Sequence, residues 1–381
     1  MSHDTDIDEK SQRFSLITER ALDDLRSMIG VKIAQTVEPW CYEVTRDNIR
    51  HYAHGIGDDN PLWCDVDYAA QSRYGTLLAP PSFVFALNRI YSGYVGGLPG
   101  VHAMWSGAST TWHRHLRRGD EIHTEAYLKD LVEHQTAFAG RAIQQIYHVD
   151  FYSDGELVAE GDSWCFRTER DTARERGKYQ SAREVEPRYD YDDIAAVAQA
   201  YREEKPRGAD PLYVDEVAVG DVLPVMTKGP MTVTGFIAYA QGWGGLYIRA
   251  NRLAHKQLEK HPNLGIADRF GIPDVPERVH WDDDLARMVG TPRAYDYGPE
   301  RASWLTHHIT DWMGDHGFLV SHSSQIRRHN PTGDIVKISG TVSHVDREDG
   351  LVTVEQTARQ QDGELSARGT AVVRLPLRPT P

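Results

Sequence analysis

DGELVAEG at residues 154–161 returns as DGELSARG at 362–369. A long-range repeat of this kind marks a duplicated unit, so the comparison is extended outward from the pair. Upstream, WHRHLRRGDEIHTEAYL (112–128) matches IRRHNPTGDIVKISGTV (326–342): a basic cluster, then Gly-Asp, then alternating strand residues. Earlier still, WCDVDYAAQSRYG (63–75) parallels HWDDDLARMVG (280–290) with a short gap. VTRDNIRHYAHG (44–55) parallels MTVTGFIAYAQG (231–242). One such match arises readily by chance, but four in the same order do not. The chain reads as two diverged copies of one fold.

The coarse elements follow from periodicity. SLITERALDDLRSM (16–29) has apolar residues at helical spacing and predicts an N-terminal helix. Thr45 is placed to cap a short helix over 47–55. Pro80-Pro81 opens a second helix, expected over 80–94. Strands dominate 103–168, where Val149, Phe151, Trp164 and Phe166 alternate with polar residues. Asp154-Gly155 and Asp362-Gly363 read as hairpin turns. Each half is helix first and antiparallel sheet afterwards, an α+β order in which a sheet wraps one long helix. Residues 171–207, rich in Arg, Glu, Asp and Tyr, read as a linker with one short helix over 191–203. The expected units are therefore 1–170 and 208–381.

The chain has 381 residues, enough for two domains. A formal net charge of −14 opposes a broad nucleic-acid surface, which requires a basic footprint. Three dispersed cysteines, Cys41, Cys64 and Cys165, with no CxxC, give neither a disulfide framework nor a structural zinc site. The first residues, MSHDTDIDEKSQRF, are polar and acidic, unlike a signal peptide. No apolar run approaches the roughly 18–20 residues of a membrane span. A cytoplasmic protein, with no nucleic-acid or membrane partner, is expected.

GIGDDNPLWCDVDYAAQSRYGTLLAPPSFV (55–84) resembles the N-terminal half of double hot-dog MaoC-like dehydratases, whose first half is a fatty-acid-synthase-type dehydratase domain. ITERALDDLRSMIGVKI (17–33) resembles the opening of that half. ERVHWDDDLARMVGTPRAYDYGP (277–299) and RRHNPTGD (327–334) resemble segments of the second half. The resemblance covers nearly the whole chain and includes mesaconyl-CoA and itaconyl-CoA hydratases. It implies a tandem hot-dog fold, two antiparallel sheets each wrapped around a central helix. It implies reversible hydration of an α,β-unsaturated acyl thioester, carried by coenzyme A or an acyl carrier protein, with no metal and no redox cofactor. A homo-oligomer is expected.

Hydration of a conjugated double bond needs a base to activate water, an acid for the α-carbon, and donors for the enolate oxygen. Related R-specific hydratases hold the water between the Asp and His of a GDxNPxH motif. Here that pair is split. Gly57-Asp58-Asp59-Asn60-Pro61-Leu62 is present in the first half, but Trp63 stands in the His position and cannot accept a proton. The second half has His280 in that position, yet Gly244-Gly245 where Asp58 would have its counterpart, followed by a long extra stretch. His280 is the expected acid/base, because imidazole titrates near neutrality. Asp282 is its expected partner, and Arg278 is expected to face the same ligand. Asp58 and Asn60 are candidates with an alternative in turn and capping chemistry. A composite Asp58–His280 site requires the two motif segments to meet.

Tyr297-Gly298-Pro299 opens the second half's central helix, whose first N–H groups would reach a thioester oxygen. His307 and His308 lie on that helix, where a satisfied core histidine is the simpler reading. Arg114, Arg117, Arg118, Arg327 and Arg328 are candidates for coenzyme A phosphates or for solvated strand ends. Residues 243–279 are an insertion whose Leu246, Tyr247, Ile248 and Phe270 would shape an acyl pocket beneath a hinged cover. Two other functions fit the same residues. A thioesterase would use Asp58, and the split dyad suits an acyl-CoA-binding protein that is non-catalytic or partner-dependent.

Overall fold

The computed structural model describes residues 17–33, 38–98, 101–136, 140–168 and 186–379. The first half opens with α1 (Glu19–Arg26), within the helix expected over 16–29 and capped by the Thr18 hydroxyl, which accepts the Ala21 N–H. α2 (Arg46–Gly55) is capped by Thr45, as expected. Short turns of helix follow, α3 (Pro61–Cys64), α4 (Val66–Gln71) and α5 (Val84–Leu87). Strands β1 (His102–Trp112), β2 (Ile122–Thr136), β3 (Gly140–Ser153) and β4 (Glu156–Thr168) complete the half. The junction at 169–185 lies outside the described residues. The linker helix forms as α6 (Tyr191–Glu203) behind an Asp190/Asp193 capping box.

The second half adds β5 (Met226–Lys228), α7 (Val233–Trp243), α8 (Asn251–Lys260) and the two-residue strands β6 (Ile266–Ala267) and β7 (Pro273–Asp274). α9 (Asp283–Met288) and α10 (Gly298–Met313) come next, then β8 (Phe318–Ile326), β9 (Val336–Asp346), β10 (Leu351–Gln360) and β11 (Leu365–Arg374). The nine long and short strands form one sheet in the order β2-β3-β4-β1-β8-β11-β10-β9-β5, antiparallel throughout. Apart from the short β5 at the second half's outer edge, both halves run second, third, fourth and first long strand toward the seam. Their first long strands, β1 and β8, pair from Gly107↔Gln325 to Thr111↔Ser321, so two hot-dog sheets become one surface. The DG hairpins form as read: Asp154 and Gly155 take φ of 52° and 79°, as a tight hairpin turn requires.

α10 is the central helix of the second half, and nearly every residue along it is buried. Its counterpart departs from expectation. The helix predicted over 80–94 is only a 3-10 turn at Pro81–Phe83 continued by α5. Asn88 then turns to extended backbone, φ −149° and ψ 124°. The break is stabilised by side chains that a continuous helix would point elsewhere. Asn88 donates to Thr124 Oγ1 at 2.9 Å and accepts the Tyr91 N–H at 3.0 Å. Arg89, 2% exposed, donates to the carbonyls of Trp243, Gly244 and Gly245 at the end of α7.

α2 and α7 cross each other, which explains why their repeated sequences both end in Gly. A Cβ on Gly55 would stand 3.0 Å from the Ala238 carbonyl oxygen, and one on Gly242 2.5 Å from that of His51. These are backbone contacts that cannot give way. The sequence repeat therefore records a close helix crossing between the halves.

Candidate active site

In the first half, the motif loop between α2 and α3 buries Asp58 to 2% exposure. Its Oδ1 accepts the Asn60 N–H at 3.0 Å, while Asn60 Oδ1 accepts the Leu62 N–H at 3.0 Å and caps α3. Asn60 thus performs the capping chemistry its sequence context allows. Asp58 does not meet His280. It faces His307 on α10, with Oδ1 3.5 Å from Nε2. The same imidazole lies 3.4 Å from Asp311 Oδ2, and Lys228 Nζ sits 3.1 Å from its Nδ1. An ammonium donating to Nδ1 puts the ring proton on Nε2, directed at the two carboxylates.

Burial dominates the electrostatics of this cluster. Desolvation pushes the Asp58 carboxyl up, opposed by His307, and lifts Asp311 to about 7. Desolvation lowers His307 to about 4, with Asp58 pulling the other way. Asp58 Oδ2, Asp311 Oδ1, Glu204 Oε2 and Trp63 Nε1 have no hydrogen-bond partner. The Trp63 indole lies near enough to Asp58 to favour its charged form without reaching hydrogen-bond geometry. Asp58, His307 and Asp311 place their ligand atoms within 4.8 Å of one another, a spacing that suits a cation, though the Lys228 ammonium already supplies positive charge there. A small pocket lined by Asn60, Trp63, Thr310 and Asp315 has room for about one water.

In the second half, His280 ends a 3-10 helix, Pro276–His280. Its Nδ1 lies 2.7 Å from the Tyr295 carbonyl oxygen, so Nδ1 carries the proton and Nε2 the lone pair. The ring stacks on Tyr297 with centroids 3.6 Å apart. Desolvation, aided by Arg301, lowers its pKa to about 3, although the residue keeps partial exposure. Tyr297 is the N-cap of α10 and Gly298 its first residue, so the His280 ring lies beside the positive end of a 16-residue helix.

Two expected contacts are not made. Asp282 does not fix His280. Its Oδ1 accepts the Asp284 and Leu285 N–H groups as the N-cap of α9, and its Oδ2 lies 2.9 Å from Arg278 Nε. Arg278 is 6% exposed, pairs with Asp282 and Asp274, and donates toward the Ile266 carbonyl, so it braces the insertion instead of facing a ligand. The composite Asp58–His280 site is also not formed. Tyr297 and His307 are ten residues apart on one helix, about 15 Å at 1.5 Å per residue, and each motif residue sits at its own end.

His308 fits the satisfied-core reading, between the Pro224 carbonyl at 2.8 Å and Gln356 at 2.9 Å. His307 does not, and its i,i+4 spacing to Asp311 was the available signal. Within the insertion, Leu246 packs on the core and Tyr247 lies against Tyr94. Phe270 stands 71% exposed in the β6–β7 hairpin. Arg114 is held by Asp120 at 2.7 Å and Arg328 by Glu364 at 3.2 Å.

Strand order and the duplicated halves together define a double hot-dog protein. The FAS1-like dehydratase domain region matches residues 27–160. A UPF0336 protein of Parafrankia sp. is 31% identical over 141 residues, 35% of this chain and 89% of that protein. One from Streptomyces avermitilis is 30% identical over 95 residues, 24% of this chain and 63% of its own length, so the chain spans less than two thirds of that relative. The chain belongs to the UPF0336 family. Among solved structures, a MaoC-like dehydratase superposes with a TM-score of 0.66 at 20% identity, covering 92% of this chain and all of the other. A conserved Mycobacterium tuberculosis protein described as a double hot-dog fold gives 0.54 at 13% identity, covering 92% and 97%. These two likenesses concern the fold. Among the described residues, no helix is long and apolar enough to cross a membrane.

Proposed function

We propose that the protein adds water reversibly across the α,β double bond of an acyl thioester, with His280 as the proton-transfer group. The observation that carries this reading is the state of its imidazole. Nδ1 is committed to the Tyr295 carbonyl, and Nε2 keeps a lone pair on a ring held neutral. Such a nitrogen has its lone pair free at any pH above the acid range, as a general base requires. The start of α10 at Tyr297-Gly298 supports the reading further. Helix N-terminal N–H groups favour the negative charge that develops on a thioester oxygen as the enolate forms.

The thioester carrier is coenzyme A or an acyl carrier protein. Arg327 and Arg368 both donate to Gln325 Oε1, at 2.6 and 2.7 Å, and offer a paired cationic surface to a phosphate. This surface belongs to the strand end that carries His329, whose ring lies tilted against Tyr295 with centroids 4.2 Å apart.

The test uses the purified full chain and a panel of α,β-unsaturated acyl-CoA thioesters, following loss of the conjugated enoyl-thioester absorbance. The expected result is saturable hydration that His280→Asn lowers by about 10²–10⁴-fold. Release of free thiol with no hydration would overturn it in favour of a thioesterase.

A further inference from the structure

In the first half the motif carboxylate, Asp58, accepts the backbone N–H two residues ahead of it. The corresponding place in the second half is Gly244-Gly245, which has no side chain, yet a carboxylate is there. Glu277 comes from the far end of the insertion and folds back onto this loop. Both its oxygens accept the Leu246 N–H at 3.0 Å, and Oε2 accepts the Tyr247 N–H at 2.7 Å. A Cβ built on Gly245 would stand 2.8 Å from Glu277 Oε1. The carboxylate and the Ile248 side chain, whose Cδ1 would stand 2.7 Å away, together fill the space into which a side chain at 245 would project.

Two independent observations connect Glu277 with His280. They are residues i and i+3 of the 3-10 helix Pro276–His280, and in a 3-10 helix such side chains eclipse and leave the same face. Both also reach Tyr297. The His280 ring stacks on it, and its hydroxyl lies beside the Glu277 carboxyl without good hydrogen-bond geometry. Tyr297 is 3% exposed and Glu277 5% exposed, so a buried, unpartnered hydroxyl is directed at a buried carboxyl next to a neutral imidazole.

We infer that Glu277 is the carboxylate partner of His280, rebuilding from the insertion the acid/base pair that related motifs hold in one loop. This rests on the hydration reading above. In the step it implies, His280 Nε2 takes a proton from water as the water oxygen bonds to the β-carbon. The π electrons move onto the thioester carbonyl while the Glu277 carboxylate holds the attacking water. The imidazolium of His280 delivers the proton it took to the α-carbon as the enolate collapses, so one water is added in balance. Desolvation pushes the Glu277 carboxyl up, opposed by the Tyr247 and Leu246 N–H groups, Tyr297 and Arg89, which favour the ionised form.

The test measures steady-state hydration, pH profile and thermal melting for the wild type, Glu277→Gln and His280→Asn. The Gln amide oxygen in the Oε2 place still accepts the Leu246 and Tyr247 N–H groups, while its NH2 takes the Oε1 place beside the Leu246 N–H, so Glu277→Gln should stay folded and melt slightly below the wild type. It should lose about 10²–10⁴-fold in kcat with little change in KM. It should also lose the fall in kcat at low pH that protonation of the Glu277 carboxylate causes. Wild-type kcat in Glu277→Gln with a dead His280→Asn overturns Glu277 and leaves hydration standing. Wild-type inactivity on every thioester, or an unaffected His280→Asn, overturns both. If Glu277→Gln melts low, Gly245→Asp in a Glu277→Ala background decides. Recovery of hydration over Glu277→Ala supports the inference, and no recovery overturns it.

Discussion

Arg89 and His307 hold corresponding places, each eight residues beyond the proline that opens its half's central segment, Pro81 and Pro299. Each reaches across to the other half's motif loop. His307 meets a carboxylate, Asp58, at 3.5 Å, whereas Arg89 meets backbone carbonyls, Trp243 among them at 3.3 Å. A relationship that duplication made equal has become an ion-pair cluster on one side and a helix cap on the other.

Replacing Arg89 by Met should cost about 2–4 kcal/mol, because it strands buried carbonyls at the end of α7 that water does not reach. Urea denaturation measures the loss, and limited proteolysis should show earlier cutting within 243–279. Unchanged stability and cutting would mean that the guanidinium does not hold the base of the insertion.

Lys228→Met removes the ammonium beside His307 and leaves Asp58, Asp311 and Glu204 facing one another. Breaking a buried ionic cluster on one side typically costs about 3–5 kcal/mol. The loss should be larger at pH 8, where Asp311 is ionised, than at pH 5. Equal denaturation midpoints for variant and wild type at both pH values would contradict this.

Asp311 carries a signed pH dependence. Its folded pKa, about 7, lies above the unfolded value near 3.9, so the folded state binds the extra proton between them. Stability from this group is complete below about pH 4 and falls as pH rises toward 7. Asp311→Asn should therefore stabilise the protein at pH 8, by up to about 4 kcal/mol, and change little at pH 4. Melting curves at the two pH values decide it, and a stabilisation confined to low pH would reverse the sign.

Gly242→Ala should destabilise by at least about 1–3 kcal/mol, since overpacking here meets the His51 backbone and not a movable side chain. Trp63→Ala should cost about 3–5 kcal/mol through lost packing of a buried indole. A Trp63→Ala protein of native stability would show that this ring fills no necessary volume.

The duplicated sheet was readable because strand alternation and DG turns are local signals, repeated twice. The first half's central helix was not. Val84–Leu87 and the following residues have helical periodicity, but Asn88 and Arg89 find tertiary partners that outweigh it. In the site, His280 was placed by its position in a motif. Glu277 was hidden because the insertion brings it back to Gly245 from 32 residues further along the chain. His307 resembled an ordinary core histidine because the partner that makes it unusual, Asp58, lies in the other half. Pairings made by folding across the seam leave no trace in local spacing.

The β1–β8 seam has a consequence for how such a chain can change. In a twofold homodimer, any substitution appears in both sites at once, so neither can be relinquished. Once the two copies share one chain, mirror-related positions are inherited separately. The Asp58–His307 side can then become an ion-pair cluster while the His280 side keeps a neutral imidazole. The tandem chain breaks its own symmetry without having to recruit a second gene product.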